Sequence, residues 1–123
     1  MLLDTYAWVE LFIGSEKGDR VKELTKNTES FTSIISLSEI VVWCHRNNKD
    51  PKIFLDKVKE YSIILHLNDE IAELAGNLNF EIKKTEKTFG LSDALIYATA
   101  RMYSLKLLTG DEHFRDLEDI VML

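Results

Sequence analysis

A chain of 123 residues fits one domain and buries roughly two-thirds of its unfolded surface. Apolar residues make up 46% and charged residues 29%, with one proline and one cysteine, Cys44; this excludes disordered, collagen-like, disulfide-framed and multi-cysteine zinc classes. The 15 Lys+Arg against 21 Asp+Glu give a net charge of −6, which argues against a nonspecific nucleic-acid coat, although acids that ligate a cation would invert the local sign.

MLLD (1–4) opens as a short apolar strand. It has no basic run before it and meets an acid at Asp4, so it does not read as a signal peptide. No apolar run approaches the ~18 residues that span a bilayer. The expectation is a protein of a reducing cytoplasm. Residues 5–14 read as a helix with Trp8, Leu11 and Phe12 on one face. SFTSIIS (30–36) is β-branched and reads as a strand. Leu37, Ile40, Val41 and Cys44 place a helix over 37–47, which Asn47-Asn48 breaks. Pro51 opens the next helix near its first position, with Phe54, Val58 and Tyr61 on one side. SIILHL (62–67) reads as a buried strand. Ile71, Leu74, Ala75, Leu78 and Ile82 mark a helix over 69–85. After Gly90, residues 92–103 form another helix, with Leu95, Ala98 and Met102 facing inward. LKLLT (105–109) is a strand ending in Gly110-Asp111, and IVML (120–123) a last short one. The alternation predicts an α/β domain over 1–123: a central, mostly parallel twisted sheet of about 4–5 short strands with helices on both faces. Ligands of such sheets bind at the carboxyl ends of the strands.

Four acids fall at that edge. Asp4 ends the first strand, Glu39 lies in the first turn after the second, Asp93 opens the helix after Gly90, and Asp111 follows LKLLT. Each also fits an ordinary role. Asp4 suits a helix cap, Ser36 to Glu39 has the S-x-x-E pattern of a capping box, Asp93 follows a candidate cap at Ser92, and Asp111 suits a turn. Together they point further, because Asp4 and Asp93 sit inside apolar stretches where unpaired charge is costly. Clustered carboxylates need a counter-charge. Oxygen donors without a cysteine set select Mg²⁺ or Mn²⁺. Such ions activate water and hold the leaving oxygen in phosphodiester cleavage.

The segments MLLDTYAWVELF, SLSEIVVW, GLSDALIYATA and LLTGDEHFRDL carry a resemblance across essentially the whole chain. The sequence resembles PIN-domain ribonucleases, specifically the small VapC-like toxins of toxin–antitoxin pairs. The resemblance implies metal-dependent hydrolysis of RNA at Asp4, Glu39, Asp93 and Asp111. Asp4, Asp93 and Asp111 would hold Mg²⁺ or Mn²⁺, and Glu39 would ligate or orient the attacking water. Thr5 and Thr109 would support the carboxylates through their hydroxyls. Many relatives carry a further acid where this chain has His113, which is read as a turn residue packing near Phe114. The resemblance also implies a homodimer and an antitoxin bound across an apolar groove, for which Tyr6, Trp8, Phe12 and Trp43 are candidates.

Lys83, Lys84, Lys87 and Arg101 are candidates for guiding RNA phosphates, or form an ordinary solvated face. Trp8, Phe12, Trp43 and Tyr97 fit packing better than base stacking, because all fall on helices with apolar neighbours. Cys44 reads as a small core residue, and His45 and His66 have no spaced partners. Two alternatives stand beside the toxin: a PIN nuclease that processes RNA without an antitoxin, and a catalytically inactive PIN-like binding module. A receiver-like phosphoacceptor is disfavoured, since one acid and then Thr5, not an acidic pair, follow MLL.

Overall fold

The computed structural model describes residues 1–123. Strand β1 (Leu2–Leu3) leads into α1 (Thr5–Ile13) and α2 (Glu16–Thr25). Then come β2 (Phe31–Ser33), α3 (Ile34–Arg46), α4 (Pro51–Tyr61) and β3 (Ile63–Leu65). Helices α5 (Asp69–Ile82) and α6 (Leu91–Met102) precede β4 (Leu107–Thr109), a 3₁₀ turn (Glu112–Phe114) and β5 (Ile120–Met122). The five strands form one parallel sheet in the order β3-β2-β1-β4-β5. No helix is long and apolar enough to cross a membrane.

The two-residue period of a strand divides the core. Leu2 and Leu107 face α5 and α6, packing with Ile71, Ala75, Ile96 and Phe114. Leu3 and Leu108 face the other way, against Ala7, Trp8, Ile40 and Val58 of α1, α3 and α4. Burying each such leucine contributes ~1.5–3 kcal/mol. That explains how a two-residue strand holds the centre of the sheet: both its side chains are fully used.

The chain leaves β1 toward β2 on one side and returns through β4 on the other. The order in which strands are added therefore reverses between β1 and β4, and in such sheets the ligand crevice lies there, outside the carboxyl ends. Asp4 follows β1 there, and Asp111 follows β4. Gly110 precedes Asp111 and lets the Tyr6 ring of α1 lie against the backbone there, since a Cβ at that position would fall 2.2 Å from the ring and displace it.

Several expected boundaries differ. The strand expected over 30–36 stops at Ser33, and α3 begins at Ile34. Ser33 caps α3 by accepting the Ile35 N–H, so no capping box forms from Ser36 to Glu39. Ser36 lies inside the helix, buried, with its hydroxyl unpartnered. Glu39 accordingly sits in the second turn, not the first. Ser92 is no cap either: Gly90 takes that position, and Asp93 accepts its N–H at 3.0 Å. Strand β3 is an edge strand with only Leu65 buried and Ile63 47% exposed, because nothing pairs beyond it. Met102 is 42% exposed at the end of α6, not inward. Helix α2 was not among the expected elements. Its surface is polar, but Val21 is buried, Ser15 caps it, and Gly18 allows the backbone of Glu10 to pass within reach of a Cβ.

Candidate active site

Asp4 stops β1 and starts α1. Its Oδ1 accepts the Ala7 N–H at 2.9 Å, the ordinary work of an N-cap. It is nevertheless only 4% exposed. Burial pushes its carboxyl up to about 7, reinforced by the charges of Asp111 and Glu39 and opposed by the Thr109 hydroxyl and the Ala7 N–H. Thr109 links two acids, since its Oγ1 also accepts the Asp111 N–H at 2.9 Å.

Glu39 reaches the same crevice from α3. Thr5 Oγ1 donates to its Oε1 at 2.6 Å. Burial raises its carboxyl, and the charges of Asp93 and Asp111 add to that. Asp93, in the first turn of α6, is raised by burial and by Asp111, while the Gly90 N–H and His113 act in the opposite sense. Asp111 caps the 3₁₀ turn by accepting the His113 N–H at 2.9 Å. The four acids thus converge, each within electrostatic reach of another. No lysine or arginine forms an ion pair with any of them.

His113 stands among them rather than packing only as a turn residue. Its Nδ1 is 3.3 Å from Asp111 Oδ1 and 3.9 Å from Asp93 Oδ2. Donor atoms of Asp93, Asp111 and His113 lie within 4.8 Å of one another, whereas Asp4 and Glu39 stand outside that group. Nothing in the pattern of apolar residues could single out His113. Only the 3₁₀ turn after Asp111 folds its ring back over the crevice.

A PIN domain family profile matches residues 1–120. The chain belongs to the PIN domain family. No curated protein is significantly similar to it in sequence. Among solved structures, a toxin–antitoxin complex from Klebsiella pneumoniae is similar, with 23% identity, TM-score 0.76, and 98% of this chain and 95% of that one covered. VapBC2 from Rickettsia felis, bound to a promoter DNA fragment, shares 20% identity with TM-score 0.77, covering 99% and 96%. VapC20 from Mycobacterium tuberculosis, a sarcin–ricin-loop-cleaving toxin, shares 17% with TM-score 0.76, covering 99% and 97%.

In this PIN domain the donor set fits a divalent cation. Asp4 is buried, Glu39, Asp93 and Asp111 are half-buried, and no lysine or arginine pairs with them, so a doubly charged ion is the counter-charge that arrangement calls for. The basic candidates divide. Lys87 is exposed and adjoins Thr88, whose hydroxyl contacts His113. Lys83 is exposed at the end of α5, and Lys84 pairs with Glu81 at 3.0 Å. Arg101 lies at the wrong end of α6. It donates to the Tyr97 hydroxyl and pairs with Glu118 just before β5, at the amino edge of the sheet. Eight residues of helix put it roughly 12 Å from the level of Asp93.

Trp8 and Tyr97 are buried, the first donating to Thr32 and the second to the Glu118 carbonyl. Neither is free to stack on a base. The candidates for an apolar groove also separate. Tyr6 and Trp43 line a cleft of about 480 Å³ between α1 and α3, which runs from Val42 to Thr5 and Glu39. Phe12 and Trp8 instead border a second cavity of about 510 Å³, beside Lys22 and Lys57, with the Phe12 ring against that of Trp43.

Proposed function

We propose that this PIN domain is a metal-dependent endoribonuclease and the toxin of a toxin–antitoxin pair. The observation that carries the reading is the convergence of Asp4, Glu39, Asp93 and Asp111 at the switch point between β1 and β4, with no lysine or arginine paired to them. Asp93 and Asp111, whose donor atoms come within 4.8 Å, would hold Mg²⁺ or Mn²⁺, with Asp4 in electrostatic reach of Asp111. A divalent ion at such a site lowers the pKa of water and offsets charge on the phosphoryl group.

The chain's own residues do the rest. Thr5 fixes the Glu39 carboxylate, which leaves the second oxygen of that side chain to orient water. Thr109 holds Asp4 and the backbone of Asp111 in register. Lys87, adjoining Thr88, supplies positive charge for a phosphate. The toxin assignment draws on the similarity to VapC20 and to toxin–antitoxin complexes. In this reading the antitoxin covers the cleft that Tyr6 and Trp43 line beside Glu39, and the toxin pairs as a homodimer.

The test is RNA cleavage by the isolated protein. Cleavage is expected with Mg²⁺ or Mn²⁺, to stop with chelator, and to fall at least about a hundredfold in Asp93→Asn with the fold intact. Equal cleavage by parent and variant overturns the reading. Co-expression with the neighbouring short gene separates a toxin from an RNA-processing nuclease: growth arrest relieved by that partner supports the toxin.

A further inference from the structure

We propose that His113 is a nitrogen ligand of the divalent ion, and that this donor turns the site's preference from Mg²⁺ toward Mn²⁺. The inference rests on the metal-site reading above and goes beyond it, to one donor atom and the ion it selects.

The hydrogen-bond chain behind the ring decides which nitrogen faces the acids. Thr88 Oγ1 lies 2.7 Å from His113 Nε2 and 3.2 Å from Glu86 Oε1. A threonine hydroxyl has a single hydrogen, and a carboxylate can only accept. With Glu86 taking that hydrogen, the Thr88 oxygen accepts from His113 Nε2–H, and this is the tautomer we assign to the metal-binding form. In a neutral imidazole the other nitrogen, Nδ1, then carries a bare lone pair. Nδ1 is buried and has no hydrogen-bond partner, although Asp111 Oδ1 is 3.3 Å away. Its approach to that oxygen is off the line a hydrogen bond needs.

Three donor atoms therefore surround one small volume, all within 4.8 Å of one another. Two are carboxylate oxygens and one is an imidazole nitrogen. Left alone they repel, and a cation among them removes the repulsion. The Glu86–Thr88–His113 chain has the form that orients metal-binding histidines, in which the distal N–H is held by an acceptor that is itself hydrogen-bonded. Ion preference follows from donor type. Mg²⁺ demands hard oxygen donors in near-ideal octahedral geometry, whereas imidazole binds first-row transition ions well. An aspartate at this position would restore an all-oxygen set.

The experiment is Mn²⁺ binding to the whole chain, followed by electron paramagnetic resonance. Competition with Mg²⁺ and nitrogen couplings in the spin echo, with ¹⁵N-histidine-labelled protein, are measured on the parent, His113→Gln and His113→Asp. Expected are one tightly bound Mn²⁺, a histidine nitrogen coupling in the parent that both variants lack, and a Mn²⁺ over Mg²⁺ preference at least about tenfold lower in His113→Asp. Thr88→Val, which keeps the ring but removes its anchor, is expected to weaken Mn²⁺ about tenfold. Bound Mn²⁺ without nitrogen coupling, or with the same preference in all variants, overturns the ligand role and leaves the metal site standing. Absence of Mn²⁺ binding, or binding that survives Asp93→Asn with Asp111→Asn, overturns the metal reading itself.

Discussion

Asp4 serves two masters: a backbone N–H that needs an acceptor, and a crevice that gathers negative charge. Its burial has a thermodynamic consequence. An acid ordinarily at 3.8 that is raised to about 7 when folded binds more protons folded than unfolded between those values. Stability of the metal-free protein therefore falls as pH rises from about 4 to about 7, and levels off above. Burial raises Glu39 and Asp93 as well, so they act with the same sign. The expected outcome is a higher melting temperature at pH 5 than at pH 8 in chelator. Asp4→Asn is expected to reduce that difference by raising the value at pH 8, for an effect on the order of 4 kcal/mol at most. A flat profile in the parent would remove the argument for a charged, buried cluster.

Elements decide where side chains arrive. The S-x-x-E pattern of Ser36 to Glu39 suggested a helix start, yet α3 begins two residues before Ser36. The local signal was ambiguous because two serines, Ser33 and Ser36, each precede an apolar helical run. Packing resolved it: Ile34 and Ile35 join the helix, and Ile35 packs under α6. The difference can be measured. Ser33→Ala is expected to cost about 1 kcal/mol through loss of the cap. Ser36→Ala is expected to be neutral or stabilising, because it removes a buried hydroxyl without a partner. Denaturant unfolding of both variants checks the order, and the reverse order would restore the capping box. Helix α2 escaped the apolar pattern for a related reason. A helix that buries little beyond Val21 and Gly18 has almost no stripe to detect.

At the scale of the molecule, the site is a product of topology. Asp4 and Asp111 lie at opposite ends of the sequence, and meet because β1 pairs with β4 in parallel. Helices α3 and α6 bring Glu39 and Asp93 from the two faces of the sheet. A cation bound only by the folded arrangement stabilises it by mass action. Saturating Mn²⁺ is therefore expected to raise the melting temperature by several degrees at pH 8, and by much less at pH 5, where protons compete with the ion for the burial-raised carboxyls of Asp93 and Asp4. Thermal scans at the two pH values test this, and an equal rise at both would place the ion elsewhere.

Much of this was written in local pattern. The 3.6-residue stripe of α5, the proline at the start of α4, and the alternation of strand and helix all follow from short-range preferences. The positions of the four acids at strand and helix ends were legible too, but each also fitted a cap or a turn, and it was the resemblance to PIN domains that joined them into one proposed site. Three features came only with the tertiary structure. Arg101 lies at the amino edge of the sheet, away from the acids. Tyr6 and Trp43 line one cleft and Trp8 and Phe12 another, although the Phe12 and Trp43 rings touch. His113 turns its Nδ1 toward Asp93 and Asp111. The reason is common to all three. Periodicity records which residues avoid water, but the direction of a charged or polar group depends on partners distant in the chain, and those are brought near only when the sheet closes around β1.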